Sequence, residues 1–245
     1  MLNWKEKGPF LYLSCPDWED VGISHGFIGS CADFSASQYA LWQPKFLETF
    51  QVEALYLPEQ IHSAEFIDFR SKDATLDYAK QLNFSKADAL IVPKSGFSQK
   101  KVGFGIRTAD CLPILLLCDE AVALIHAGWR GLASGIIEAV LDKLLPESSE
   151  VTESHASCRI TNNASKRISV LIGPAASKAS YQVGLEVIEA IGERAKFELR
   201  EERQQRKYFL DLQATAVNII SNRFPKAELH FASVCTISNL SFHSF

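Results

Sequence analysis

Positive charge is not in excess in this sequence. Lys and Arg number 25 against 29 Asp and Glu, a formal net charge of −4, so the basic footprint of a nucleic-acid-binding surface is missing. No apolar run approaches the roughly 18 residues that suggest a membrane span. The opening stretch, MLNWKEKGPFLYLSCPDWED, is mixed and acidic. It has no basic segment followed by an apolar one, so no secretory leader is read there. The six cysteines are irregularly spaced and do not make a disulfide framework; a reducing cytoplasm is the expected compartment. Histidine is scarce as well. The chain holds six, none in a His-X-His pair, and its one methionine is residue 1, too few ligands for coupled copper centres. Gly103-Phe104-Gly105 lacks the third glycine of a dinucleotide-binding turn, because position 108 is Thr.

What is present concentrates in residues 104–135, FGIRTADCLPILLLCDEAVALIHAGWRGLASG. Residues 112–117 and 121–125 are almost purely apolar and predict two strands covered on both faces, joined by a turn at Cys118-Asp119-Glu120. Leu132, Ile136, Ile137, Val140, Leu141, Leu144 and Leu145 recur with helical period up to Pro146. Elsewhere, strands are expected near 10–13, 54–57, 87–93, 102–106, 168–172 and 229–234, and helices over 42–50, 185–197 and 213–224. The charged run 198–207 reads as a solvated face or turn, and 146–167 as a polar loop. Alternating strands and helices without a repeat predict one α+β (mixed α/β) domain over residues 1–245, with stacked sheets flanked by helices.

Three residues stand at predicted strand ends: His62, Cys111 and His126. Imidazole nitrogen and thiolate sulfur are zinc ligands, and three protein ligands with one open position is the catalytic rather than the structural pattern. Their spacing is no local signature, so it does not by itself bring them together. The same residues would equally serve a cysteine hydrolase, with Cys111 as nucleophile and His126 or His62 as base. Arg130 and Gly131 precede the helix expected from Leu132. A helix N-terminus and a guanidinium fork there suit an anion. Arg107 and Asp110 flank the cysteine as an ion pair, as substrate contacts, or as both.

Thr108-Ala109-Asp110-Cys111-Leu112-Pro113 and His126-Ala127-Gly128-Trp129-Arg130-Gly131-Leu132 resemble the paired hallmarks of the laccase-domain family, also called polyphenol-oxidase-like or multicopper-oxidase-like proteins. Further matches are Gln60-Ile61-His62, Ala87-Asp88-Ala89-Leu90, Ile172-Gly173-Pro174-Ala175, Tyr181-Gln182-Val183-Gly184, Leu210-Asp211-Leu212 and Cys235-Thr236. The resemblance implies a zinc-dependent purine nucleoside phosphorylase with adenosine deaminase activity, acting on a purine nucleoside and phosphate. It implies zinc on His62, Cys111 and His126, and substrate or phosphate contacts at Arg107, Asp110, Arg130 and Tyr181. The chain departs from the family at several points. Ser63 replaces the usual glycine, and Ile28-Gly29-Ser30-Cys31-Ala32-Asp33 replaces an arginine- and glycine-rich segment after His25-Gly26-Phe27. Phe242-His243-Ser244-Phe245 stands where relatives continue with arginines. An intact metal site inside an altered substrate shell is the expectation, with a weakened enzyme or a non-catalytic zinc-binding protein as its consequence.

Overall fold

The computed structural model describes residues 1–31, 33–70, 85–95, 101–146 and 167–244. Most of the expected polar loop 146–167 lies outside the described residues. In chain order, the elements are β1 (Asn3–Lys7), β2 (Phe10–Ser14), α1 (Pro16–Asp20), β3 (Phe27–Ile28), α2 (Tyr39–Phe50), β4 (Ala54–Tyr56), β5 (Phe66–Asp68), β6 (Ala89–Pro93), β7 (Val102–Phe104), β8 (Leu112–Leu117) and β9 (Ala121–Ala127). They continue with α3 (Trp129–Ser134), α4 (Ile136–Leu144), β10 (Ser169–Ile172), β11 (Gln182–Val183), α5 (Leu185–Ile191), β12 (Phe197–Glu202), β13 (Gln205–Leu210), α6 (Leu212–Arg223) and β14 (Glu228–Phe231).

The two apolar runs form the centre of a six-stranded sheet of order β14-β10-β8-β9-β6-β5. Both faces of this sheet are covered, which is why every residue of β8 is buried. Side chains alternate between the faces of a strand. Leu112, Ile114, Leu116, Ala123 and Ile125 enter a core with α4 and α6, through Ile136, Val140, Leu141, Ala216 and Ile220. Leu115, Leu117 and Leu124 enter a second core with Leu13, Trp18 and Phe27 of the N-terminal part. Full burial of each such side chain contributes about 1.5–3 kcal/mol. The N-terminal sheet, order β1-β2-β3, packs through that second core. The result is a mixed α+β fold of stacked sheets and helices.

Two of the shorter motifs have packing roles. A Cβ on Gly173 would lie 2.6 Å from Phe27 Cε1 and 2.7 Å from Pro113 Cγ. The Gly173-Pro174 and His25-Gly26-Phe27 motifs therefore meet in space, one making room for the other.

The structure corrects three expectations. The helix expected from Leu132 begins earlier, at Trp129, and breaks at Gly135, whose φ of 82° ends α3 before α4 starts. The helix expected over 185–197 stops at Ile191; Gly192, at φ 69°, turns the chain away. Phe197 then opens β12. The charged run 198–207 is the solvated face expected, yet it is no simple turn. It is the hairpin β12–β13, closed at Arg203 and Gln204, both at positive φ. Its charges line the ribbon: Lys207 reaches Glu202 at 2.6 Å, and Arg200 lies 3.9 Å over the Phe209 ring.

A candidate metal centre at the end of the central sheet

Antiparallel pairing explains why the two long motifs meet. In the β8–β9 hairpin Leu112 is opposite Ala127 and Pro113 opposite His126. Cys111, which enters β8, therefore lies at the same sheet end as His126, which leaves β9. β6 pairs with β9 on its other side, Ala89 opposite Ile125, so Asp88 arrives beside His126, and the His126 amide donates to its carbonyl at 2.8 Å. His62 comes from the loop after β4. That loop is tied down by backbone bonds from Glu59 N to Ser85 O and from Asp88 N to Glu65 O, 3.0 and 2.8 Å.

The ligand atoms of His62, Cys111 and His126 lie within 4.8 Å of one another. The two imidazole rings are 4.8 Å apart at 74°. His126 is buried, Cys111 half-buried and His62 exposed, so the cluster opens to solvent on one side. Two imidazoles and a thiol are a donor set for a zinc-class ion. The backbone makes room for it: a Cβ on Gly128 would lie 2.8 Å from Cys111 Sγ and 3.2 Å from His62 Cδ2. The trio read from the sequence fits a metal.

Asp88 is the organising group that reading the sequence missed. It is wholly buried, and its carboxylate accepts from four residues. Oδ1 accepts from His126 Nδ1 at 2.8 Å and from the His62 amide at 2.9 Å. Oδ2 accepts from the Ser63 amide at 2.6 Å, the Ser63 hydroxyl at 2.8 Å and the Ile61 amide at 3.3 Å. Engaging Nδ1 of His126 directs Nε2 of that ring to a ligand, the usual arrangement behind a metal-bound histidine. Binding the 61–63 amides holds His62 at φ 59°, a backbone region that costs a non-glycine residue of order 1 kcal/mol. Burial pushes the Asp88 carboxyl up, but the hydrogen bonds from His126, Ser63 and His62 outweigh it and bring it to about 2. The signal was present in the sequence: a carboxylate at the head of an apolar strand is buried only when paired. Ser63, the departure from the family's glycine, adds a hydrogen bond to this carboxylate.

Gln60 is a second positioning group. Its side-chain amide accepts from the Arg107 amide and donates to the Arg107 carbonyl, both at 2.7 Å, clipping the His62 loop to the segment before Cys111. The Arg107 guanidinium is half-buried, and its Nη1 is fully shielded without a hydrogen-bond partner. Desolvation lowers its pKa. The Asp110 carboxylate accepts from the Thr236 hydroxyl at 2.7 Å and the Ser244 hydroxyl at 3.0 Å. Asp110 thus anchors the C-terminal segment beside Cys111, and it sits at φ 74°. Tyr181 faces the same cluster: burial first, then the nearby Cys111 and Asp110, push its phenol up to about 12. Burial pushes the Cys111 thiol up to about 11, with Asp110 and Asp88 adding to the rise. Desolvation, then the charge of His126, lowers His62. Arg130 is the residue the structure repositions. It lies inside the first turn of α3 rather than ahead of a helix, exposed, with its guanidinium 4.4 Å over the Trp129 ring. No helix among the described residues is long and apolar enough to cross a membrane.

Comparison with known proteins gives the relatives of this chain. The "Purine nucleoside phosphorylase" of Aquifex aeolicus (strain VF5) is 32% identical over 193 residues, spanning 79% of this chain and 76% of that protein. One of the same name from Bacteroides thetaiotaomicron is 30% identical over 75% of this chain and 64% of its own length. "Adenosine deaminase RL5", from an unknown prokaryotic organism, is 30% identical over 61% of this chain and 51% of its own length. The chain thus spans between about half and three-quarters of these relatives. The fold is shared with Bacillus licheniformis hypothetical protein YfiH (TM-score 0.71, 17% identity, 98% of this chain and 92% of that one). It is shared also with Neisseria meningitidis protein NMB0706 (TM-score 0.61, 23% identity, 86% and 76%). Residues 43–245 match the family described as "Multi-copper polyphenol oxidoreductase laccase", a span that contains His62, Asp88, Cys111, Gly128 and His126, and the chain belongs to that family.

Proposed function

We propose that this protein is a single-domain, zinc-dependent purine nucleoside phosphorylase that cleaves adenosine or inosine, with methylthioadenosine a further substrate, and that deaminates adenosine at the same centre. The observation that carries the reading is the His62–Cys111–His126 cluster with its Asp88 support. The names of the relatives support the substrate class. When bound on these three residues, zinc supplies a Lewis acid and an acidified water.

The chain's own groups meet the other demands of phosphorolysis. In that reaction a phosphate oxygen bonds to the ribose C1′ and the C1′–N9 bond breaks. Its electron pair goes to the purine, which takes up a proton and leaves as free base beside ribose 1-phosphate. The Arg107 guanidinium, with a shielded Nη1 that has no hydrogen-bond partner, and the Arg130 guanidinium are assigned to the phosphate. A guanidinium fork suits such an anion. The Tyr181 phenol keeps its proton at neutral pH and is assigned as a donor to the substrate. Asp110 holds the C-terminal segment over the site through Thr236 and Ser244.

A cysteine hydrolase needs Cys111 as a free nucleophile. A second imidazole, His62, within 4.8 Å of the Cys111–His126 pair, which a nucleophile and its base do not need, favours the metal reading. The coupled copper centres that the family's description mentions ask for more histidines than the six in this chain.

The test is incubation of purified protein with adenosine or inosine, with and without phosphate, followed by chromatography and metal analysis. Phosphate-dependent adenine or hypoxanthine is expected, together with zinc. No adenine, hypoxanthine or inosine above a Cys111→Ala control would overturn the proposal. So would stoichiometric copper with phenol oxidation. Zinc binding without any nucleoside effect on the melting temperature would instead mark a non-catalytic family member.

A further inference from the structure

We infer that Cys15, Asp17 and His230 form a second metal site, for a thiophilic divalent ion of the zinc class, which staples the N-terminal sheet to the edge of the six-stranded sheet. Their ligand atoms lie within 4.8 Å of one another. Asp17 Oδ2 is 4.0 Å from Cys15 Sγ and 3.8 Å from His230 Nδ1. The edges of a zinc tetrahedron with sulfur, nitrogen and oxygen ligands are about 3.3–3.5 Å, given metal–ligand bonds of about 2.0–2.3 Å. The two edges at Asp17 need to close by about half an ångström, and the Cys15–His230 edge, which lies within 4.8 Å, by at most about 1.3 Å. The three residues come from distant parts of the chain. Cys15 follows β2 and caps α1, Asp17 lies in the first turn of α1, and His230 lies in the edge strand β14.

One nitrogen of the His230 ring, the one facing Glu228, is left without a hydrogen bond, while the other faces Asp17. The side chain is 8% exposed, and Nε2 is fully shielded with no hydrogen bond. Such a group is uncommon and costly unless something else engages the ring. Nε2 lies 3.3 Å from Glu228 Oε1, out of line for a hydrogen bond. With a metal on Nδ1 the proton sits on Nε2, and rotation of the exposed Glu228 side chain, 3.3 Å away, would bring it into line as the outer support that metal-bound histidines usually have.

Cys15 is held in place by a neighbour that is not itself available as a ligand. His25 Nε2 accepts from the Cys15 amide at 2.9 Å, and His25 Nδ1 pairs with the Ile23 carbonyl at 2.8 Å. Cys15 is wholly buried, whereas the Asp17 side chain is 63% exposed. The ion would therefore enter past Asp17, and a water on that side would complete four-coordination. A thiol beside an imidazole and a carboxylate selects zinc or cobalt over calcium or magnesium. The Trp18 Nε1 hydrogen bond to Ser169 Oγ, 2.9 Å, already ties α1 to β10, and the ion would add a second tie at β14.

The experiment removes the first centre and asks whether zinc remains. Cys111→Ala protein, equilibrated with zinc chloride and desalted, is expected to retain one equivalent. Adding Asp17→Asn or His230→Gln should lose it. Chelation should lower the melting temperature of Cys111→Ala but not that of Cys111→Ala/Asp17→Asn. Because Asp17 is exposed, its substitution leaves the metal-free fold intact, which circular dichroism checks. Cobalt(II) should give a thiolate charge-transfer band in Cys111→Ala protein that Cys15→Ser abolishes. Cys111→Ala protein that holds no zinc, or folded variants combining Asp17→Asn and His230→Gln that hold as much as their parent, would overturn the inference. Nucleoside turnover plays no part in these readouts.

Discussion

Asp88→Asn is the most informative single change, because it preserves shape and removes one acceptor. Asparagine can keep an oxygen toward His126 Nδ1 and the His62 amide, now 2.8 and 2.9 Å from Asp88 Oδ1. Its NH2 then faces the Ile61 and Ser63 amides, which now donate to Oδ2 at 3.3 and 2.6 Å. Two donors lose their acceptor, while the Ser63 hydroxyl can rotate to accept. A buried donor left unsatisfied costs about 1–3 kcal/mol. Ile61 is 42% exposed, so water can rescue its amide, and the cost falls on the Ser63 amide, about 1–3 kcal/mol. The strained backbone at His62 loses the bonds on either side of it, at Ile61 and Ser63, so zinc affinity should fall about 10–100-fold, as it does when an outer partner of a ligand is lost. Urea denaturation of metal-free protein measures the first quantity, and competition with a chromophoric chelator the second. A stability change within about 0.5 kcal/mol, the range of an ordinary surface substitution, together with unchanged zinc affinity, would refute the role assigned to this carboxylate.

Other expectations follow from the same geometry. Gly128→Ala places a methyl 2.8 Å from Cys111 Sγ; overpacking of about 1–3 kcal/mol and a loss of metal affinity are expected, read by thermal melting and chelator competition. Ile125→Ala, at a wholly buried position beneath His126, should lower stability by about 2–5 kcal/mol in urea titration. Burial pushes the Cys235 thiol up, but hydrogen bonds involving Ser177 and Ser238 outweigh it and bring it to about 6. Its alkylation should therefore follow a titration with midpoint near pH 6, slow below and level above, seen by mass spectrometry of the labelled peptide. Because that thiol is depressed in the folded state, its stabilising share is complete above the unfolded thiol's pKa and is lost as pH falls through about 6. Arg107→Ala should raise the KM for phosphate with little change in stability, measured by product formation across phosphate concentrations.

Much of the site was legible because its chemistry sits in dense, unusual runs. The strands flanking Cys111 and His126 were readable from uninterrupted apolar side chains, and a hairpin turn of three residues between them dictates that their outer ends meet. The errors came where local pattern was outvoted. Charged residues 198–207 carry no apolar alternation, yet pairing with β11 and the Arg200–Phe209 contact make a ribbon of them. Helical period ran straight through Gly135, whose positive φ breaks the helix.

The sequence by itself determined the mixed α+β character, the two buried central strands and the identity of the three metal-ligand candidates. These depend on residue type and short-range spacing, which a linear chain displays. Only the tertiary structure decided that His62 joins Cys111 and His126. It alone revealed that Asp88 holds all of this together, because the bonds that do so link a loop, residues 61–63, and a strand, at residue 126, to residue 88. A carboxylate's role depends on which donors surround it, and those donors are brought to it by sheet register rather than by position along the chain.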